Sequence, residues 1–128
     1  MHLATATLLL ASLAQADPIV VPSGQDITYH DTIQNQPGTS GLTYRFRFIA
    51  PSIERETGSI GIETAAEDMD YLCSTFALSR LPKSGPVPKQ IIISLSDRPV
   101  EFGSPAPEAT QFFEAYRVEG GVCIWEGF

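Results

Sequence analysis

The sequence predicts an α+β domain in which a single helix packs on a mainly antiparallel sheet of about five to six strands, ending in a C-terminal β-hairpin. Three observations carry that prediction. Leu42–Ile49 alternates cleanly, with Leu42, Tyr44, Phe46 and Phe48 on one face and Thr43, Arg45 and Arg47 on the other, the pattern of a half-buried strand. Thr64-Ala65-Ala66-Glu67 opens the only stretch with a clear helical stripe. Gly120-Gly121 separates two apolar-alternating runs, a strong signal for a two-residue hairpin turn.

Before the first strand, Met1–Ala16 is a short apolar leader ending in Ala14-Gln15-Ala16, which reads as a secretory signal with an A-x-A cleavage site. It is too short to cross a bilayer as a helix. An uncleaved anchor and a misassigned start are the alternatives. Cleavage leaves Asp17–Phe128, a single domain able to bury a real core. Asp26–Gln34 alternates loosely and is expected as a strand, and Asn35–Gly41 is rich in breakers and expected as a loop. After Leu42–Ile49, Pro51 ends the strand. Ser59–Glu63 is expected as a shorter strand, with Ile60 and Ile62 on one side.

Thr64 as N-cap and Glu67 three residues later form a capping box, and the helix is expected to run to about Leu78, with Pro82 as its far limit. Ala65, Met69, Leu72, Cys73 and Phe76 share its apolar stripe. A Pro-rich connector leads to Gln90–Ser96, whose consecutive Ile91–Ile93 suit a central strand covered on both sides. Asp97–Thr110 is a long irregular stretch holding Pro99, Pro105 and Pro107. In the closing hairpin, a turn at Gly120-Gly121 sets Val118 opposite Cys123 and Tyr116 opposite Trp125. Phe112, Tyr116, Val118, Cys123 and Trp125 then share one face, as they do if the turn moves back by one residue; a three-residue loop would break the agreement.

Cys73 and Cys123 both point inward on this reading, and export favours pairing them. Their bond would staple helix to sheet. Two buried free thiols acting as small hydrophobes are the alternative.

Composition narrows the function classes. Apolar content of 43% and charged content of 18% are those of a folded protein. The net charge of −7 argues against nucleic acid and anionic lipid as partners. Glu63, Glu67, Asp68 and Asp70 do not have the spacing of a calcium loop, and charge near a helix start accounts for them. Cys and His are too few for zinc. No cofactor and no metal are expected.

His30-Asp31 lacks a nucleophile elbow, and adjacent strand residues point to opposite faces. Arg45 and Arg47 share a strand face, and Arg117 projects from the outside of its own strand; such arginines grip a carboxylate or phosphate, or pair with surface glutamates such as Glu126. Glu114 shares a face with Phe112, Tyr116 and Trp125, where burial would raise a carboxyl pKa. It is the carboxylate to test for a small hydrolase. The Asp97–Thr110 loop, with Asp97, Arg98 and Phe102, is the candidate recognition element; a Pro-rich cover over a sheet edge is its plain alternative.

Ile93–Val100, Pro107–Arg117 and above all Cys123-Ile124-Trp125-Glu126-Gly127-Phe128, with Asp68-Met69 and Leu72-Cys73, resemble a family of small exported alphaproteobacterial proteins of unknown function. The resemblance implies no activity or site residue. Some of its members bear the label acetolactate synthase. A thiamine-diphosphate enzyme needs a large multidomain body and a cofactor-and-magnesium motif, and this sequence has neither. The expectation is a monomeric, periplasmic or secreted binding or accessory module with an envelope protein as possible partner. A small hydrolase and a structural or inhibitor-like envelope protein are the alternatives.

Overall fold

A computed structural model describes residues 17–38 and 41–127 of the chain. The proposed leader, Met1–Ala16, lies outside the described residues. The described chain forms one helical layer on a five-stranded mixed sheet. The strands are β1 (Thr28–Gly38), β2 (Gly41–Ile49), β3 (Gln90–Ser96), β4 (Gln111–Glu119) and β5 (Val122–Glu126), and they lie in chain order across the sheet. The pairs β1–β2, β3–β4 and β4–β5 are antiparallel, while β2–β3 is parallel. A parallel neighbour requires a crossover, and the crossover carries the helix α1 (Ile62–Leu72), which continues through a π-helical turn, Cys73–Ala77, and a final 3-10 turn, Leu78–Arg80.

The core follows from the alternation. Tyr44, Phe46 and Phe48 of β2, Ile91, Ile93 and Leu95 of β3, and Tyr116 of β4 are buried against Ala65, Met69, Leu72, Cys73 and Ala77 of the helical layer. Phe76 packs into the rings of Tyr29 and Phe48, with centroids 5.1 and 5.2 Å away. β3 is the central strand, as its isoleucine run predicts. In the hairpin, Val118 pairs with Cys123 and Tyr116 with Trp125, with positive φ at Gly120 and Gly121, the conformation that selects glycine at both turn positions. Cys73 and Cys123 are joined by a disulfide across Cα atoms 6.3 Å apart.

Three local expectations change. Ser59–Glu63 is not a strand: Ile60 N–H donates to the Ser52 carbonyl at 3.0 Å in a compact loop, and α1 begins at Ile62 with extended Gly61 as N-cap. The Ile60/Ile62 alternation is too short to separate a strand from the approach to a helix. The capping box is not formed, because Thr64 already lies inside the helix and its N-cap makes no side-chain bond. Most of Asn35–Gly41 is strand rather than loop, with Gly38 paired to Gly41; Thr39 and Ser40 lie outside the described residues. A hairpin that close to its turn satisfies its backbone in a ladder despite poor strand propensity.

Candidate functional site

The helix-free face of the sheet carries the site. Register sets one row of side chains there as Asp31, Arg47, Ser94 and Phe113, and the next as Ile33, Arg45 and Ile92. A bulge in β1 makes the first row possible. Tyr29 pairs with Phe48 and Asp31 with Arg47, so His30 is the extra residue. The bulge turns Tyr29 to the helix side and Asp31 to the arginine side, whereas unbroken alternation would put both on one face. His30 itself is exposed.

Asp31 and Arg47 form a two-pronged pair, with Arg47 Nε and Nη2 each donating at 2.6 Å. Arg47 Nη1 also donates to the Val100 carbonyl at 2.7 Å. The side chain of Arg47 is 12% exposed and that of Asp31 38%. The hydrogen bond from Arg47 holds the Asp31 carboxyl below its usual range, against the opposing effect of burial. The same bond raises the Arg47 pKa. Arg47 is thus a neutralised tie between sheet and loop.

That loop is Asp97–Thr110, and both of its ends are tied. Asp97 N–H donates to the Thr110 carbonyl at 3.0 Å, closing its base. Arg55, from the crossover, donates to the Pro107 and Ala109 carbonyls at 3.2 and 2.7 Å and to Thr110 Oγ1 at 3.2 Å. Between the ties the loop stands over the sheet and encloses a cleft of about 490 Å³ lined by Arg45, Arg47, Ser94, Phe102, Gln111 and Phe113, among others. A second cleft of about 480 Å³ shares Arg47, Val100, Glu101 and Phe102 with the first and reaches His30, Asp31 and Ile33. Volumes of this size are typical of small-molecule sites.

Arg45 is the unusual group in the cleft. Its guanidinium carbon lies 5.6 Å from the Phe102 ring centre and 5.5 Å from that of Phe113, within cation–π range of both. Among the described residues it forms no ion pair, and its buried Nε–H meets no acceptor. Burial first, and then the neighbouring Arg47 charge, lower its pKa.

The remaining sequence candidates fall elsewhere. Phe102 stands at the cleft, whereas Asp97 and Arg98 sit at the loop base and pair with each other at 3.1 Å. Glu114 pairs across the sheet with Ile93, on the helix side, and accepts a hydrogen bond from Trp125 Nε1 at 2.5 Å. Arg117 pairs with Glu119 at 3.1 Å. The acidic cluster is divided. Asp68 is fully buried and accepts from Ser23 N–H at 2.9 Å, Ser23 Oγ at 2.5 Å and Gln25 Nε2 at 2.7 Å. Asp70 accepts from Tyr116 Oη at 2.5 Å; burial and then this bond push the Tyr116 pKa well up.

Sequence reasoning missed three parts of this arrangement. Arg55 gave no periodic signal. Asp68 did give one, since it falls on the same stripe as Ala65 and Leu72. The outward Phe113 was also readable, as an apolar residue on the polar face of β4.

A family model described as a family of unknown function, DUF6497, matches residues 4–128. No curated protein and no solved structure matches the chain.

Proposed function

The chain belongs to the DUF6497 family, whose function is unknown, and from that premise we propose that it is an exported binding or accessory module of the periplasm. Its recognition surface is the cleft beneath the Asp97–Thr110 loop. The observation that carries this reading is Arg45, a half-buried cation flanked by Phe102 and Phe113 with no acidic partner among the described residues. The two rings attract the guanidinium, but they leave its charge uncompensated and its buried Nε–H without an acceptor among the described residues. A ligand group would supply both. The disulfide and the lack of any described helix long and apolar enough to cross a membrane agree with an extracytoplasmic address. The hydrolase reading loses support because Glu114 is on the opposite face from the cleft and is held by the Trp125 indole.

The test is affinity capture from the envelope fraction with the wild type and a Phe102→Ser/Phe113→Ser variant, with retained fold checked by thermal unfolding. Loss of the captured envelope protein supports the reading. Unchanged capture by a folded variant overturns it. Mass analysis of exported material checks the address: a chain beginning at Asp17 and lacking two thiol hydrogens is expected.

A further inference from the structure

Charge and shape in the cleft restrict what it can hold. Arg47 is balanced by Asp31 at 2.6 Å. Among the described residues Arg45 has no compensating charge, and an arginine keeps its charge when buried. Glu101 also lines the cleft but is exposed and makes no ion pair with it among the described residues. The surrounding protein carries −7 overall. A single negative charge therefore matches the site, while a phosphate dianion would meet Glu101, Asp31 and the acidic surface with one arginine to offset them. The remaining walls are Phe102, Phe113, Val100 and Pro105, with the polar side chains of Ser94 and Gln111 on the strands beside them. Apolar walls with a few polar groups suit an apolar ligand held by one charged end.

We propose that Arg45 is a carboxylate-binding residue. It donates from its guanidinium to a ligand carboxylate, that of a free acid or of a protein chain end, whose apolar neighbour lies against Phe102, Phe113 and Pro105. This rests on the cleft being the recognition surface and names what that surface recognises. A guanidinium is suited to a carboxylate because its planar edge presents paired N–H donors. Phe102 is 44% and Phe113 40% exposed, so each retains area for a ligand to cover. Ser94 and Gln111 supply a hydroxyl and an amide for a polar group next to the carboxylate.

The experiment titrates the folded, disulfide-bonded protein at pH 7 with N-acetylphenylalanine, its uncharged amide N-acetylphenylalaninamide, and inorganic phosphate. The readout is ¹⁵N–¹H NMR of the Arg45 side chain and of the backbone amides of Val100–Ser104. The acid is expected to shift these signals saturably, and the amide and phosphate to bind on the order of tenfold more weakly. Arg45→Met is expected to lose the shifts in Val100–Ser104 and to melt close to wild type, because the loss of two cation–π contacts is offset by the removal of an uncompensated half-buried charge. Should Arg45→Met not fold, Arg45→Gln decides, since it removes the charge and keeps a polar side chain. Undiminished binding of the acid by either folded variant overturns the inference, and so does equal binding of the amide. If none of the probes binds while Phe102→Ser/Phe113→Ser still loses its captured partner, the carboxylate is wrong and the cleft stands. If that variant captures normally, the cleft reading itself has failed. A peptide with a free C-terminal phenylalanine serves as a further arm: tighter binding than N-acetylphenylalanine identifies a chain end as the source of the carboxylate, and equal binding a free small acid.

Discussion

The two faces of this sheet are held in different ways. On the helix face, rows of aromatic and aliphatic side chains are buried against α1, the fully buried carboxylate of Asp68 has three donors, and a disulfide joins the π-helical turn to β5. On the other face, a loop replaces the helix, and its grip is polar: Arg47 to Asp31 and the Val100 carbonyl, Arg55 to three acceptors near Thr110. Apolar burial is the larger and less divisible contribution to stability. The difference teaches where this protein can change without unfolding. Substitutions on the helix face act on the fold, and those on the arginine face act on the cleft.

The largest effect is expected at the disulfide. Its cysteines are 50 residues apart, a loop for which chain entropy gives about 4 kcal/mol. A Cys73→Ala/Cys123→Ala variant should lose a stability of that order in urea unfolding, and reduction of the wild type should reproduce the loss. A change well under about 1 kcal/mol would mean that apolar packing alone holds α1 to the sheet, and that the bond adds nothing to the difference between the two faces.

Next comes Asp68→Ala, which strands Ser23 and Gln25 in a partly buried setting. Breaking a buried, hydrogen-bonded carboxylate costs about 3 kcal/mol. Unfolding by urea at pH 7 measures it. Hydrogen exchange at Ser23 and Gln25 amides should also quicken, since Ser23 N–H bonds to Asp68 directly. An exchange change at Val100–Ser104 instead would blur the separation between the two faces.

This division was partly legible in the sequence. Strict alternation in Leu42–Ile49 and the Gly120-Gly121 turn set both faces of β2 and β4, because a period of two leaves no freedom once one face is apolar. The cysteines were placed inward by the same logic. The capping box misled: Thr64 and Glu67 have the right spacing, but Gly61 adopts the extended N-cap conformation one turn earlier and moves them inside the helix. The site was legible only as a pair, Arg45 and Arg47. Their different fates depend on His30 acting as a bulge, which aims Asp31 at Arg47 and not at Arg45. A bulge breaks the period of two within its own strand, so Asp26–Gln34 alternates only loosely, and which residue is the extra one depends on the pairing with β2.

The smallest expected effect sharpens the comparison most, because it isolates the polar grip. The Asp31 pKa is lowered in the folded protein, chiefly by the hydrogen bond from Arg47. A depressed carboxyl pKa contributes stability that is complete above the unfolded value of about 3.9 and is lost as pH falls through the folded one. Glu54, drawn from 4.5 to about 2 by Thr57 and the Thr57 and Glu56 amides, has the same sign, so it steepens the acid limb of wild type and variant alike. Asp31→Asn should therefore cost at most about 1 kcal/mol at pH 7, the pair being partly screened by solvent, and its stability curve should converge on that of wild type as pH drops toward 2. The Asp31→Asn variant should also show faster amide exchange in Val100–Ser104 at pH 7, with exchange at Leu72 and Cys73 unchanged. Convergence with no change in loop exchange would assign the grip on the loop to the Arg47–Val100 carbonyl bond alone, with Asp31 neutralising Arg47 and leaving Arg45 without an ion pair among the described residues.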